Sequence, residues 1–209
     1  MTRVLNREPH RSGGADNRAL TRAVSLVLFL LLTLPAWASP ADVTVDDTDG
    51  SCRVRASFTA PVSRDIAWNV LSDYDSIGRF VSSVRTSRME RQADGRFLLR
   101  QDAVGSVFMF KHRIQVLLEI EEKAGSRIHF HDVLGKDFRS YVGEWRITAD
   151  SLGTSVVYEI EAQPKGSIAR AFCRGPLRNA ARDLLSQVRA EMIRRGAVAT
   201  AARPDSSGK

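Results

Sequence analysis

The stretch Phe108–Ile120 constrains this chain most. Every second residue is Phe108, Phe110, His112, Ile114, Val116, Leu118 and Ile120, and six of these seven are large and apolar. The residues between them, Met109, Lys111, Arg113, Gln115, Leu117 and Glu119, are mostly polar. Period two over such a length predicts a long, curved strand with one buried face. His112 is the one polar residue on that face. The rest of the chain must supply elements that cover it.

Other stretches repeat the pattern. Cys52, Val54, Ala56 and Phe58 alternate with polar residues, and Pro61 ends that strand. Asp94-Gly95 predicts a hairpin turn between Val84–Arg91 and Arg96–Ala103, with Phe97, Leu99, Gln101 and Ala103 on one face. Gly105-Ser106 then leads into the long strand. Its partner carries Ile128, Phe130 and Asp132 on the inner face and His129 and His131 outside. Placing Ile128 and Phe130 opposite Ile120 and Leu118 requires an odd loop, and a three-residue one containing Gly125 suits. Tyr141, Gly143, Trp145 and Ile147, then Val156, Tyr158 and Ile160, mark two more strands, with Glu159 and Glu161 facing solvent.

Two helical regions frame these strands. Ser63 caps a helix with Asp65 in its first turn and an apolar stripe of Ile66, Ala67, Val70 and Leu71, with Trp68 beside it. Ile77–Val81, which includes Phe80, follows as a second short helix. Leu177, Ala181, Leu184, Val188 and Met192 recur at three and four, the period of an amphipathic helix. Gly175-Pro176 is expected to interrupt it, and Gly196 to stop it. No helix separates the six later strands, so they form an antiparallel sheet, and only the last helix is long enough to cover it. The fold class is α+β: about seven curved antiparallel strands wrapped around a long C-terminal helix.

The N-terminus reads as a targeting segment. Arg18 and Arg22 precede an apolar run from Ala23 to Leu34, and Ala36-Trp37-Ala38 places small residues at a peptidase site. A dozen residues fall short of the roughly 20 that span a bilayer. The organisation is therefore a signal peptide over 1–38, a linker over 39–50, a domain over 51–196 and a disordered tail over 197–209. A soluble periplasmic or secreted product is expected, with an uncleaved anchor as the alternative. Five arginines against Glu8 and Asp16 give residues 1–38 a net +3, which leaves +4 of the chain's +7 for the remainder. That modest, scattered charge argues against nucleic acid as a partner. The two cysteines, Cys52 and Cys173, form no Cys-x-x-Cys pair, so a structural zinc site is not expected.

The order of elements resembles the helix-grip fold of the START (SRPBCC) superfamily over about residues 51–196. The run Ala60-Pro61, Ile66-Ala67-Trp68, Val70-Leu71 and Asp73-Tyr74 is similar to that superfamily's first strand-to-helix passage. Gly135-Lys136-Asp137-Phe138-Arg139 with Gly143 and Trp145 is similar to its polyketide cyclase/dehydrase or coenzyme Q-binding branch. The resemblance implies a hydrophobic tunnel between sheet and last helix that takes a lipid, quinone, polyketide or similar ligand. It transfers no catalytic residue. In the helix-grip arrangement the first strand lies beside the last, which brings Cys52 and Cys173 within conceivable reach of a disulfide.

The expected lining is Trp68, Phe80, Phe97, Leu99, Gln101, Phe108, Phe110, His112, Ile114, Phe130, Asp132, Trp145, Tyr158 and Leu184. Gln101, His112 and Asp132 form a polar cluster that either satisfies itself in the core or orients a ligand's polar end. His129-x-His131 lacks a third ligand and reads as solvated, so no metal is assigned. No phosphate loop or nucleophile elbow occurs, and no cofactor is expected. Arg170, Arg174, Arg178 and Arg182 repeat every four residues, followed by Arg189, Arg194 and Arg195. They are either a solvated face or a contact with anionic membrane. Three functions fit: a binder or carrier of a hydrophobic small molecule, an aromatase/cyclase or dehydratase using His112 or Asp132, and an envelope interaction module with a filled core.

Overall fold

The computed structural model describes residues 42–48, 50–107, 110–166, 173 and 175–202, with the backbone alone for 48, 106, 107 and 110–112. The strands are β1 (Asp42–Thr48), β2 (Ser51–Ala60), β3 (Val84–Arg91), β4 (Phe97–Val107), β5 (Phe110–Lys123), β6 (Arg127–Asp132), β7 (Phe138–Asp150) and β8 (Gly153–Pro164). The helices are α1 (Arg64–Leu71), α2 (Ile77–Phe80) and α3 (Gly175–Ala201). All eight strands join one antiparallel sheet in the order β1-β2-β8-β7-β6-β5-β4-β3. Helix α3 crosses β1 and β2 and packs against α1. This is the expected helix-grip architecture, with one strand more.

The extra strand is β1, inside the stretch expected to be a linker. Val43 and Val45 alternate with Asp42, Thr44 and Asp46, and Val43 is buried while Val45 packs on the core. Two valines suffice because β1 is an edge strand, and its acidic residues guard the open edge.

The α1 expectations hold. Ile66 N donates to Ser63 Oγ at 3.4 Å, and Ala67, Val70 and Leu71 are buried. Thr154, fully buried, donates its hydroxyl to Val62 O at 2.7 Å and ties the β7–β8 turn to the segment that enters α1. On the outer face Arg53 pairs with Glu161 and Arg55 with Glu159, so these glutamates face solvent as alternation requires.

The β5–β6 hairpin has the odd, three-residue loop, but its register lies two residues from expectation. Phe130 opposes Ile120, Asp132 opposes Leu118 and Ile128 opposes Glu122. The inward face is unchanged because a shift of two preserves alternation. Gly105 and Ser106 are still paired within β4, so that hairpin turns later than the sequence suggests.

Gly196 does not stop α3, which runs to Ala201, so residues 197–201 are helical and not a disordered tail. A Cβ on Gly196 would lie 2.8 Å from Val62 Cγ1. The glycine lets the helix press against that segment. Pro176 occupies the first turn of α3, where its missing N–H costs nothing. Cys52 and Cys173, both fully buried, are joined by a disulfide with Cα atoms 5.3 Å apart. It ties the chain just before α3 to β2.

Candidate functional site

A cavity of about 240 Å³ lies between the sheet, the α1–β3 segment and the start of α3. Its walls form two zones. Leu99, Ile114, Val116 and Leu118 of β4 and β5, with Leu71, Ile77 and Val84, make an aliphatic side. Phe130, Phe138, Tyr141, Trp145 and Tyr158 of β6, β7 and β8 make an aromatic side. Pro176, Leu177, Ala181 and Leu184 of α3 cover it. Ser83 and Ala180 also line it and are solvent-exposed, which places the mouth between the start of β3 and the first turns of α3. Beside this mouth Ser82 N donates to Gln187 Oε1 at 2.6 Å.

Two backbone features shape the aromatic side. A Cβ at Gly143 would stand 2.5 Å from Glu159 O and 2.6 Å from Phe130 Cζ, so only glycine lets the Phe130 ring lie over β7. The β7 register shifts between Phe138 and Ser140. That irregularity breaks period two and brings Phe138 and Tyr141 to the same wall, ring centroids 4.9 Å apart. Trp145 and Tyr158, directly opposite in β7 and β8, stand 4.3 Å apart.

The polar groups are few. The Tyr141 and Tyr158 hydroxyls meet at 3.5 Å. Burial pushes both phenols up from their usual range, so both stay protonated at neutral pH. Tyr74 donates its hydroxyl to Glu122 Oε1, and burial raises it too. Gln101 Nε2 donates to Ser87 Oγ at 3.1 Å, and Ser87 in turn donates to Tyr74 O. Among the described residues no charged or imidazole side chain lines the cavity.

Of the expected lining, Leu99, Gln101, Ile114, Phe130, Trp145, Tyr158 and Leu184 are in place. Phe108 lies outside the described residues, as do the side chains of Phe110 and His112; the His112 backbone pairs with Gly105. Four residues are elsewhere. Trp68 packs, partly buried, against the core without reaching the cavity. Phe80 lies under the Arg195 guanidinium, 5.9 Å from its ring centroid. Phe97 is 37% exposed at the outer end of β4, with the Arg91 guanidinium 5.2 Å above it. Asp132 accepts from Leu117 N, Leu134 N and Gly135 N at 3.0 to 3.1 Å, so its carboxylate fixes the turn after β6. Asp132 and Gln101 therefore belong to separate networks, and the expected cluster does not form between them. Tyr141 was legible from its shared face with Trp145. Phe138, displaced by the register shift, was not, and Tyr74 carried no signal beyond its apolar ring.

Three of the five described arginines of the series are engaged within the protein. Arg189 Nε donates to Thr59 O at 2.9 Å, and Arg194 and Arg195 both bind Glu191, with Arg195 also 2.8 Å from Asp73. Arg178 and Arg182 are exposed, while Arg170 and Arg174 lie outside the described residues. His131 stands 3.9 Å from Glu119, and among the described residues no group of three or more His, Cys, Asp or Glu could hold a metal. None of their helices is long and apolar enough to cross a membrane.

Comparison with known proteins agrees with this geometry. The family described as "Polyketide cyclase / dehydrase and lipid transport" matches residues 51–195, from β2 through most of α3. No curated protein matches the sequence. Among solved structures, a Thermus thermophilus protein superposes with a TM-score of 0.60 at 19% identity, over 68% of this chain and 98% of its own. A STAR-related lipid transfer protein fragment from Xanthomonas axonopodis gives 0.58 at 19% identity, over 74% and 94%. The Zhui aromatase/cyclase from Streptomyces gives 0.60 at 15% identity, over 69% and 95%. At these identities the likeness is one of fold. With the match over residues 51–195, an eight-stranded sheet gripping α3 and an apolar chamber between them, the chain belongs to the polyketide cyclase/dehydrase and lipid transport family.

Proposed function

We propose that this protein is an exported carrier that holds a hydrophobic small molecule between its sheet and α3. The observation that carries the reading is the 240 Å³ cavity walled by apolar and aromatic side chains, with no charged group among the described lining residues. A ligand that buries about 400 Å² of apolar surface gains about 10 kcal/mol gross. Immobilisation takes back much of this, and micromolar binding remains without any chemistry. A filled-core interaction module would have no use for such a space. An enzyme using general acid–base catalysis needs a group that titrates near neutral pH. The three tyrosines on the wall are shifted further away from that range.

Export is part of the proposal. The Cys52–Cys173 disulfide suits an oxidising compartment, and the apolar run before Ala38 supplies a route to one. Loading from an anionic bilayer fits Arg178 and Arg182, which are exposed on the helical turns that border the mouth. The test is purification of the native protein, with N-terminal sequencing and mass spectrometry of extracted small molecules. The expected result is a start at Ser39 and a stoichiometric apolar compound. A full-length product embedded in the membrane would remove export. Protein without any extractable compound that also ignores added aromatic hydrocarbons would remove the carrier reading.

A further inference from the structure

Two phenols, Tyr158 buried and Tyr141 partly buried, meet inside a mostly apolar wall, and their protons do not balance. Tyr141 and Tyr158 bring two hydroxyl protons, and their mutual bond at 3.5 Å uses one. Among the described residues no acceptor receives the other. Each buried donor left without an acceptor is costly, so such a site is completed by whatever occupies it. The surrounding wall is aromatic: Trp145 stands 4.3 Å from the Tyr158 ring, Phe130 6.4 Å from it and Phe138 4.9 Å from the Tyr141 ring. Such rings favour a flat aromatic partner by offset and edge contacts over a flexible chain. No cation among the described lining residues balances a carboxylate, and an unpaired charge is strongly disfavoured there.

We propose that the Tyr141–Tyr158 pair is the polar anchor of the cavity and that its ligand is a neutral aromatic compound bearing a carbonyl oxygen, which accepts the spare hydroxyl proton. This rests on the carrier reading above and names its ligand class. The ring lies against Trp145 and Tyr158, the carbonyl meets the phenols, and the aliphatic side takes apolar substituents. Because burial keeps both phenols protonated, the anchor donates without change across the neutral range.

Three matched probes test it on the purified protein by calorimetry: 2-acetonaphthone, 2-ethylnaphthalene, which lacks only the carbonyl oxygen, and 2-naphthoate, which is charged. The ketone is expected to bind about tenfold tighter than the hydrocarbon, the worth of one well-placed hydrogen bond to an otherwise orphaned donor. The carboxylate is expected to bind most weakly. In the Y141F/Y158F double variant the ketone's advantage disappears while 2-ethylnaphthalene, which no longer leaves a donor unpaired, binds at least as tightly as before, and the single variants show which phenol donates. Equal binding of ketone and hydrocarbon by the unaltered protein overturns the anchor and leaves the carrier reading standing. So does a double variant that keeps the preference. A double variant that also loses the hydrocarbon makes the pair structural and overturns the anchor as well. Failure of all three probes to bind overturns both readings together.

Discussion

The two halves of α3 do different work although one amphipathic pattern runs through both. From Pro176 to Leu184 the inward residues cover the cavity. From Leu185 onward the helix is packed and clamped. Leu185 and Met192 are fully buried, Glu191 holds Arg194 and Arg195, Arg195 reaches Asp73, and Gly196 lies against Val62. A helix packed throughout would leave no chamber, and one loose throughout would not stay on the sheet. The contrast places the packed clamp in the second half and the cover of the cavity in the first.

The disulfide gives the largest expected effect because it fastens the covering half alone. Cys52 and Cys173 are 121 residues apart, and a loop of that length is worth about 5 kcal/mol in the chain-entropy model. Reduction, or C52S/C173S, is expected to lower the unfolding free energy by an amount approaching this. Amide hydrogen exchange sharpens the comparison. Residues 176–184 are expected to lose protection before residues 185–195. Equal loss in both halves would show that α3 opens as a single unit.

Two adjacent leucines carry the same contrast. Leu185 is fully buried, whereas Leu184 is half-buried and lines the cavity. Leu185→Ala is expected to cost about 2–5 kcal/mol in chemical denaturation. Leu184→Ala is expected to cost less than about 1 kcal/mol, because it removes few core contacts, and to weaken 2-ethylnaphthalene binding instead. A Leu184→Ala protein as unstable as Leu185→Ala would mean that the first half is core after all.

Strict periodicity made the sheet, the gripping helix and much of the wall legible in the sequence, because period two assigns faces without knowing partners. Leu99, Ile114, Phe130, Trp145 and Tyr158 follow from it directly. Phe138 entered through a register shift that period two cannot anticipate. Asp132 has the inward parity of Phe130, yet three backbone N–H groups at the strand end claim its carboxylate. Phe97 and Phe80 share the apolar character of the lining, but each sits beyond the cavity under an arginine. Alternation gives a face and says nothing of how far along the strand a cavity extends. Gly196 read as a stop because a glycine's role in close packing depends on a neighbour distant in sequence, here Val62.

Acid reaches the clamped half through Glu191. Hydrogen bonds from Arg194, then Arg195, hold the Glu191 carboxyl down to about 2 against an ordinary 4.5. A folded-state value below the unfolded one means stability that is present above the unfolded value. It is lost as pH falls from about 5 through the folded value. The carboxylate is largely buried, and its share is at most about 3 kcal/mol. Glu191→Gln is expected to lower stability at pH 7 and to flatten the decline between pH 5 and 2. Thermal melts across that range check it, and an unchanged acid slope in the variant would move the acid sensitivity away from the clamp.

The smallest expected effect lies where the two halves meet. Gln187 follows the last cavity-lining residue of α3 by three positions, and its Oε1 accepts from Ser82 N at 2.6 Å beside the mouth. Ser82 is exposed, so water replaces the lost acceptor once Gln187 is truncated. A single such bond contributes about 1 kcal/mol net. Gln187→Ala is therefore expected to lower global stability by no more than that. The kinetic consequence is the more informative one. If the Ser82 segment and α3 must separate for a ligand to pass, the bond adds to the barrier in both directions. Its loss then speeds association and dissociation of 2-ethylnaphthalene by a similar factor, up to about fivefold, and leaves the equilibrium constant nearly unchanged. Stopped-flow tryptophan fluorescence measures both rates. A change in dissociation alone would make Gln187 part of the binding surface, and the covering half would then extend one turn further along α3.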